Sequence, residues 1–307
     1  MALVRIGTSG WSYKEWEGVF YPRDDTEKLS FYSKAFKTVE IDSTFYSYPK
    51  KAMVQACARI TPDDFVFSAR VPKLITHDKG MDVGKGVGED LMRFLYDMRY
   101  LEDAGKLGPL IFQVPSSFKY EDGLGRLIDF FGALPADLKL AVEFRDRSWR
   151  RPETWDLLRQ CKIANVISDS PQLPPDPVVT ADFAVVMWHG RGRNPWTDYR
   201  YSDAEIDEWV PRLKEIEGRA KEVYGYFGNR FRANAVENAL RLIGRLGLAS
   251  EGQKELEARV TRAIQLKAMR YAKKPSRQGD AGKRHRSGPE GPPSDRASAD
   301  GAQEPRP

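Results

Sequence analysis

The run Leu138-Lys139-Leu140-Ala141-Val142-Glu143-Phe144-Arg145 decides the fold. Successive side chains of an extended strand take opposite faces. Leu140, Val142 and Phe144 therefore share one face, suited to packing under helices, while Glu143 and Arg145 share the other. Working outward, a helical pattern covers Arg151–Cys161 and a second β-rich run follows at Ala164–Asp169. Similar runs stand at Val4–Thr8, Thr38–Ser43, Phe65–Val71, Pro109–Val114, Phe183–His189 and Glu222–Phe227. Further helical patterns cover Ala52–Arg59, Gly88–Ala104, Gly123–Leu134, Asp203–Glu217 and Ala235–Leu246. Strands alternating with helices predict a parallel sheet, and eight strand–helix units in about 245 residues match a closed barrel. A doubly wound open sheet is the alternative. No glycine-rich phosphate loop follows any of the runs, which counts against it. The predicted fold class is α/β: a single TIM-like (β/α)8 barrel over residues 1–249, a basic amphipathic helix over 250–272 and a disordered tail over 273–307.

Several local signals support this layout. Ser202-Asp203 followed by Glu205 predicts a capping box at the start of a helix that buries Ile206, Trp209, Val210 and Leu213. Leu256, Val260, Ile264 and Met269 form one stripe of the last helix, and the Gly-, Pro- and Ser-rich segment beyond it lacks apolar periodicity.

The 307 residues carry a net charge of +5, but residues 1–249 are balanced and the basic surplus lies beyond them. High basicity is therefore weak evidence that the fold itself binds nucleic acid. No stretch is apolar enough to span a membrane, and the strand-like N-terminus has no basic region followed by an apolar one. The expected location is the cytoplasm. Cys57 and Cys161 are expected to be buried free thiols.

A barrel collects its chemistry at the C-terminal ends of its strands. With Val39 and Ile41 outward, Glu40, Asp42 and Thr44 face inward; likewise Glu143, Arg145, Gln113, and Ser68 with Arg70. The sixth run ends in Asp169, the seventh in His189, and Asn229 follows the eighth. For any one of these a solvated strand end or an ion pair is the simpler account; their convergence at one mouth is what points to a site. Around the same end stand Trp11, Tyr13, Trp16, Phe45, Tyr46, Tyr48, Trp149, Trp196 and Tyr199. Some plug the barrel; the rest, interleaved with Arg70, Arg145, Arg191 and Arg193, suit stacking on a sugar ring or nucleobase.

These residues carry a resemblance. Ile6-Gly7-Thr8-Ser9-Gly10-Trp11-Ser12-Tyr13 with Trp16, Gly18 and Phe20-Tyr21-Pro22, then Val39-Glu40-Ile41-Asp42-Ser43-Thr44-Phe45-Tyr46 with Pro49, are similar to two signatures of the domain-of-unknown-function 72 (YecE-like) family. Ile75-Thr76-His77, Gly108-Pro109-Leu110 with Gln113 and Pro115, and Val142-Glu143-Phe144-Arg145 with Trp149 resemble it further. So do Asp169, His189-Gly190-Arg191, Tyr199, Asn229, Ala235, Asn238 and Ala239. The resemblance spans residues 3–246 and implies a TIM-like barrel with these residues at its mouth; it implies no particular reaction. This chain departs from the family pattern at Asp42, where Asn is usual, at Arg70, where Lys is common, and at Gly228-Asn229, where two Asn are usual.

The expected reading is an enzyme of hydrolase or isomerase type acting on an anionic or sugar-like small molecule. Its catalytic candidates are Glu143, Asp169, His189, Arg145, Glu40 and Asp42, with Glu143 and Asp169 as base and acid. Its substrate-binding candidates are Trp11, Tyr46, Arg70, His77, Gln113, Trp149, Tyr199 and Asn229. No cofactor is expected. A divalent metal held by Glu143, Asp169 and His189, with Glu40 or Asp42 across the mouth, is a variant that two inward arginines oppose. The alternatives are nucleic-acid processing or binding through the aromatic mouth and basic tail, and a barrel that binds a ligand without turnover.

Overall fold

The computed structural model of the protein describes residues 2–135, 137–193, 195 and 197–272. The expected tail over 273–307, and Trp196, lie outside the described residues. Eight strands follow in chain order: β1 (Leu3–Thr8), β2 (Thr38–Ile41), β3 (Val66–Arg70), β4 (Leu107–Val114), β5 (Leu140–Phe144), β6 (Ala164–Asp169), β7 (Phe183–Trp188) and β8 (Glu222–Phe227). All paired strands are parallel, in the order β1-β8-β7-β6-β5-β4-β3-β2. The sheet closes between β1 and β2 through the Ser9–Glu40 bridge, where Gly10 N donates to Glu40 O at 2.8 Å. Lower on this seam a side chain replaces the ladder: the Tyr32 hydroxyl accepts from Thr8 N at 2.9 Å and donates to Thr38 O at 3.1 Å. Gly7 is required there, because a Cβ would stand 2.2 Å from Thr38 O. The result is a nearly closed TIM-like barrel.

Helices α1 (Lys28–Ala35), α2 (Lys51–Ile60), α3 (Val87–Asp103), α4 (Tyr120–Gly132), α5 (Pro152–Gln160), α6 (Asp203–Glu217) and α7 (Asn234–Arg245) form the outer layer. Among the described residues no helix joins β6 to β7, so the expected eight strand–helix units are one helix short. Pro171, Pro174, Pro175 and Pro177 explain it, since each removes a backbone donor and clashes inside a helix. The capping box of α6 is present: Ser202 N donates to the Glu205 carboxylate at 2.8 Å and Glu205 N donates to Ser202 Oγ at 3.3 Å.

Helix α8 spans Glu251–Ala272. Val260 and Ile264 are buried, whereas Met269 is exposed, so its apolar stripe ends a turn sooner than expected. It is tied to the barrel by Gln253 Nε2 to Ala35 O, Arg259 to Phe20 O and Lys267 Nζ to Glu17 O. Cys57 is a buried free thiol as expected, but Cys161 is exposed because it caps the outer end of α5. Among the described residues no helix is long and apolar enough to cross a membrane.

Inside the barrel, Val66, Ile111, Ala141, Val166, Val185, Met187 and Tyr226 form an apolar layer. Below it, at the foot, Glu222 pairs with Arg5, Lys139 and Tyr224. Above it, at the C-terminal ends, the layer turns polar.

Candidate functional site

Alternation along β5 and β6 brings Glu143 and Ser168 to the barrel axis, and β4 places Gln113 beside Glu143 in register. Glu143 is fully buried. Its Oε1 accepts from Ser168 Oγ at 2.9 Å and from His189 Nε2 at 2.6 Å, with an Arg145 guanidinium nitrogen at 3.2 Å; its Oε2 accepts from Gln113 Nε2 at 2.9 Å. Burial opposes ionisation of Glu143, but Arg145, His189 and Arg70 outweigh it and hold its carboxyl well below the usual range. For His189, burial, with Arg145 and Arg70 adding to it, pushes the imidazole below its ordinary value against the pull of Glu143. The pair is thus a carboxylate and a neutral imidazole. Because an ionised carboxylate only accepts, Nε2 carries the proton and Nδ1 keeps its lone pair.

A second pair lies beside the first. Arg70 donates to Glu40 Oε1 from Nε at 2.9 Å and from a terminal nitrogen at 2.7 Å, and packs 5.9 Å from the Phe45 ring centre. Glu40 Oε2 and Arg145 Nε are buried without a protein partner among the described residues. Burial and the neighbouring Arg70 lower the Arg145 pKa despite Glu143, so positive charge is crowded here.

Above these pairs opens a cleft of about 230 Å³. Arg70, Gln113, Arg145 and His189 form its floor; Asp42, Tyr13, Phe45, Tyr46, Thr197 and Arg230 rise around it. Tyr13 donates to Asp42 at 2.8 Å. Tyr46 is 74% exposed, a large aromatic left at the rim. Gly228 lies beside the imidazole, where a Cβ would make ordinary contact with His189 Nδ1 at 3.5 Å. A larger groove of about 810 Å³ lies under α8, but none of the Glu143 cluster lines it.

Of the expected catalytic residues, Glu143, Arg145, His189, Glu40 and Asp42 gather at this mouth. Asp169 does not. With Ser168 inward, Asp169 faces the helix layer, accepting from Trp209 Nε1 at 3.0 Å and from Arg191 at 2.9 and 3.0 Å. It is separated from Glu143 by the wall of the barrel and cannot act with it as an acid–base partner.

Of the expected binding residues, Arg70, Gln113 and Tyr46 line the cleft. His77 stands on a single π-helical turn, Leu74–Asp78, edge-on to Phe45 at 5.1 Å. Burial, together with Lys73, Arg145 and Arg70, lowers its pKa although Asp78 pulls the other way. His77 and the remaining four lie outside the cleft lining. Trp149 is sealed in a stack with Phe144 and Phe118, its Nε1 donating to Phe118 O at 2.7 Å. Trp11 packs against the edge of Phe67, and the Tyr199 hydroxyl donates to Glu205 at 2.5 Å. Asn229 is buried and donates to Tyr199 O at 2.7 Å. Thr44, expected inward, sits past the end of β2 with its hydroxyl among the Ile41 and Arg70 carbonyls.

Sequence reasoning did not single out Ser168, Thr197 or Arg230. Ser168 was legible as the inward neighbour of Asp169 only if the phase of β6 were known; the others lie on loops, where alternation gives no direction. The residues weighed for a divalent metal do not come together. Asp169 is turned away, both oxygens of Glu143 have protein donors, and among the described residues no three His, Cys, Asp or Glu side chains converge as metal ligands.

The comparisons agree with this architecture. The family described as "Protein of unknown function DUF72" matches residues 5–263, which carries the match into α8, beyond the resemblance seen in the motifs. The UPF0759 protein YunF of Bacillus subtilis (strain 168) is 24% identical over 275 residues, covering 81% of this chain and 97% of YunF. The UPF0759 protein YecE of Escherichia coli (strain K12) is 29% identical over 143 residues, 47% of this chain and 48% of YecE. A DUF72 family protein from Thermotoga maritima superposes with a TM-score of 0.71 at 31% identity, covering 80% of this chain and 99% of that one. One from Enterococcus faecalis gives a TM-score of 0.71 at 24% identity, covering 81% and 97%. The motifs, the barrel and this match over most of the chain lead to one statement: the chain belongs to the DUF72 family.

Proposed function

We propose that the mouth is the active site of an acid–base enzyme acting on a small anionic, sugar-like molecule. One observation carries the reading: His189 Nε2 lies 2.6 Å from the fully buried Glu143, while His189 itself lines the cleft. His189 is the residue that exchanges protons with the ligand, through the lone pair on Nδ1. Glu143 is a positioning residue, fixing the tautomer and ring orientation and stabilising the imidazolium when it forms. This reverses the roles expected from the sequence, where Glu143 was the base and Asp169 its partner. Arg145, with one guanidinium nitrogen lacking a protein partner, and Arg70 supply positive charge for a ligand anion or a developing one. Tyr46 and Phe45 offer ring faces at the rim.

The reading is a hydrolase or isomerase that works without a metal, because both oxygens of Glu143 already accept from protein donors and Arg70 and Arg145 bring positive charge to the mouth.

The test begins with a screen of sugar phosphates, hydroxy acids and nucleotides by thermal shift, then turnover assays on those that bind. Glu143→Gln should lose turnover with binding largely kept, and His189→Ala should do the same. Binding without turnover in the unaltered protein would make the barrel a ligand-capture module. Binding of oligonucleotides alone, with steep salt dependence, would favour the nucleic-acid reading. Near-stoichiometric metal in the purified protein, lost in a Glu143→Gln, His189→Ala double variant, would replace the metal-free mechanism.

A further inference from the structure

Three arginines border the cleft, and they are not equivalent. Arg70 is paired with Glu40 at 2.7 Å and Arg145 with Glu143 at 3.2 Å. Arg230, on the loop between β8 and α7, has no carboxylate within 4.0 Å among the described residues. Its guanidinium lies 5.4 Å from the ring centre of Tyr13 and 5.9 Å from that of Phe231. Its backbone is held in place as well, since Trp16 Nε1 donates to Arg230 O at 2.8 Å.

The same loop stores strain. Arg232 and Ala233 are consecutive non-glycine residues in the left-handed region, with φ of 54° and 65°. Glycine would adopt these angles without steric cost, so the turn persists only because its surroundings over-determine it. The clamps are on both sides: Asn229 Nδ2 and Asn234 Nδ2 both donate to Tyr199 O, at 2.7 and 3.2 Å. Between them the strained turn presents Arg230 to the cleft.

We propose that Arg230 is the oxyanion-gripping residue of the mouth, held by this clamped turn, and that the ligand is a compact single-ring phosphate or carboxylate. The inference rests on the mouth being a ligand site, as above, and adds the residue that selects the ligand. An unneutralised guanidinium offers a planar fork that matches both oxyanions. The cleft of about 230 Å³ is small for a ligand pocket, which favours a monosaccharide-sized molecule over a dinucleotide.

Inorganic phosphate and malonate, titrated separately while the His189 imidazole resonances are followed by NMR, test this. Either anion should shift them in the unaltered protein; the one that binds more tightly identifies the oxyanion. Arg230→Met, which keeps a long unbranched side chain and removes the charge, should weaken that anion about tenfold or more. Arg230→Lys should recover part of the loss. Ala233→Gly should melt at or above the temperature of the unaltered protein and yet bind the anion more weakly, an opposition that a purely structural turn would not produce. Unchanged affinity in Arg230→Met would overturn the inference and leave the Glu143–His189 site standing. No shift with either anion would overturn it too; the dyad is then judged separately by the pH titration of His189, which needs no ligand.

Discussion

The two ends of the barrel hold the same kind of charge and put it to different use. At the foot, Glu222 meets Arg5, Lys139 and Tyr224, and its side chain is 27% exposed. Burial opposes its ionisation, but Lys139 and Tyr224 prevail and lower its pKa. At the mouth, Glu143 meets Arg145, His189, Gln113 and Ser168 with no exposure at all. The foot lacks a titratable imidazole and plugs the barrel. The mouth adds a neutral histidine, unpaired polar atoms and an open cleft. A buried carboxylate with cationic partners is therefore no mark of function by itself; what distinguishes the mouth is polarity its own residues leave unsatisfied.

The sharpest test of this contrast is a pair of alanine variants. Glu143→Ala strands Arg145 and His189 in the interior and should cost about 3–5 kcal/mol of stability. Glu222→Ala, partly solvated, should cost about 1 kcal/mol or less. Urea unfolding measures both, and equal costs would break the comparison. Next in size, Asp169→Ala leaves the buried Trp209 Nε1 without its acceptor and should cost about 1–3 kcal/mol. The His189 imidazole resonances should not move in that variant; if they do, Asp169 belongs to the mouth after all.

The smallest effect concerns pH. Glu143 and His189 both have depressed pKa values in the fold, so the unfolded chain binds more protons and stability falls with falling pH. The His189 contribution is complete above its ordinary value of 6.5 and is lost as pH drops below it toward the folded value; that of Glu143 is lost only below 4.5. His189→Gln should flatten the stability profile between 4.5 and 6.5, leaving the half-buried His77 as the residual histidine term among the described residues, and should leave the more acidic limb in place. An unchanged slope in that interval would show that His189 titrates there as it does in the unfolded chain.

Much of this was legible in the residues. The runs at Ala164–Asp169 and Glu222–Phe227 coincide with β6 and β8, where β-favouring composition marks the strands, and Asp203–Glu217 with α6, where the capping box marks the start. Helix α1 was not marked, since Lys28–Ala35 has little contrast between its faces. On β5 the phase was plain: Leu140, Val142 and Phe144 could only be the outward face. On β6, Ala164-Asn165-Val166-Ile167-Ser168-Asp169 mixes polar and apolar residues on both faces, so nothing local says whether Ser168 or Asp169 points inward. The aromatics posed the same difficulty, because Trp149 and Tyr46 look alike as residues following strands, yet one is sealed in a stack and the other stands at the rim.

The sequence by itself determined the family, the eight strands and the face of each clearly alternating strand, since strand geometry has a period of two and burial enforces it. The tertiary structure alone decided which polar residues meet. It turned Asp169 to the helices, gave Glu143 to His189 as a buried partner, and brought Arg230 from a loop to the cleft. Those outcomes depend on distances between segments far apart in the chain, and no local pattern encodes them.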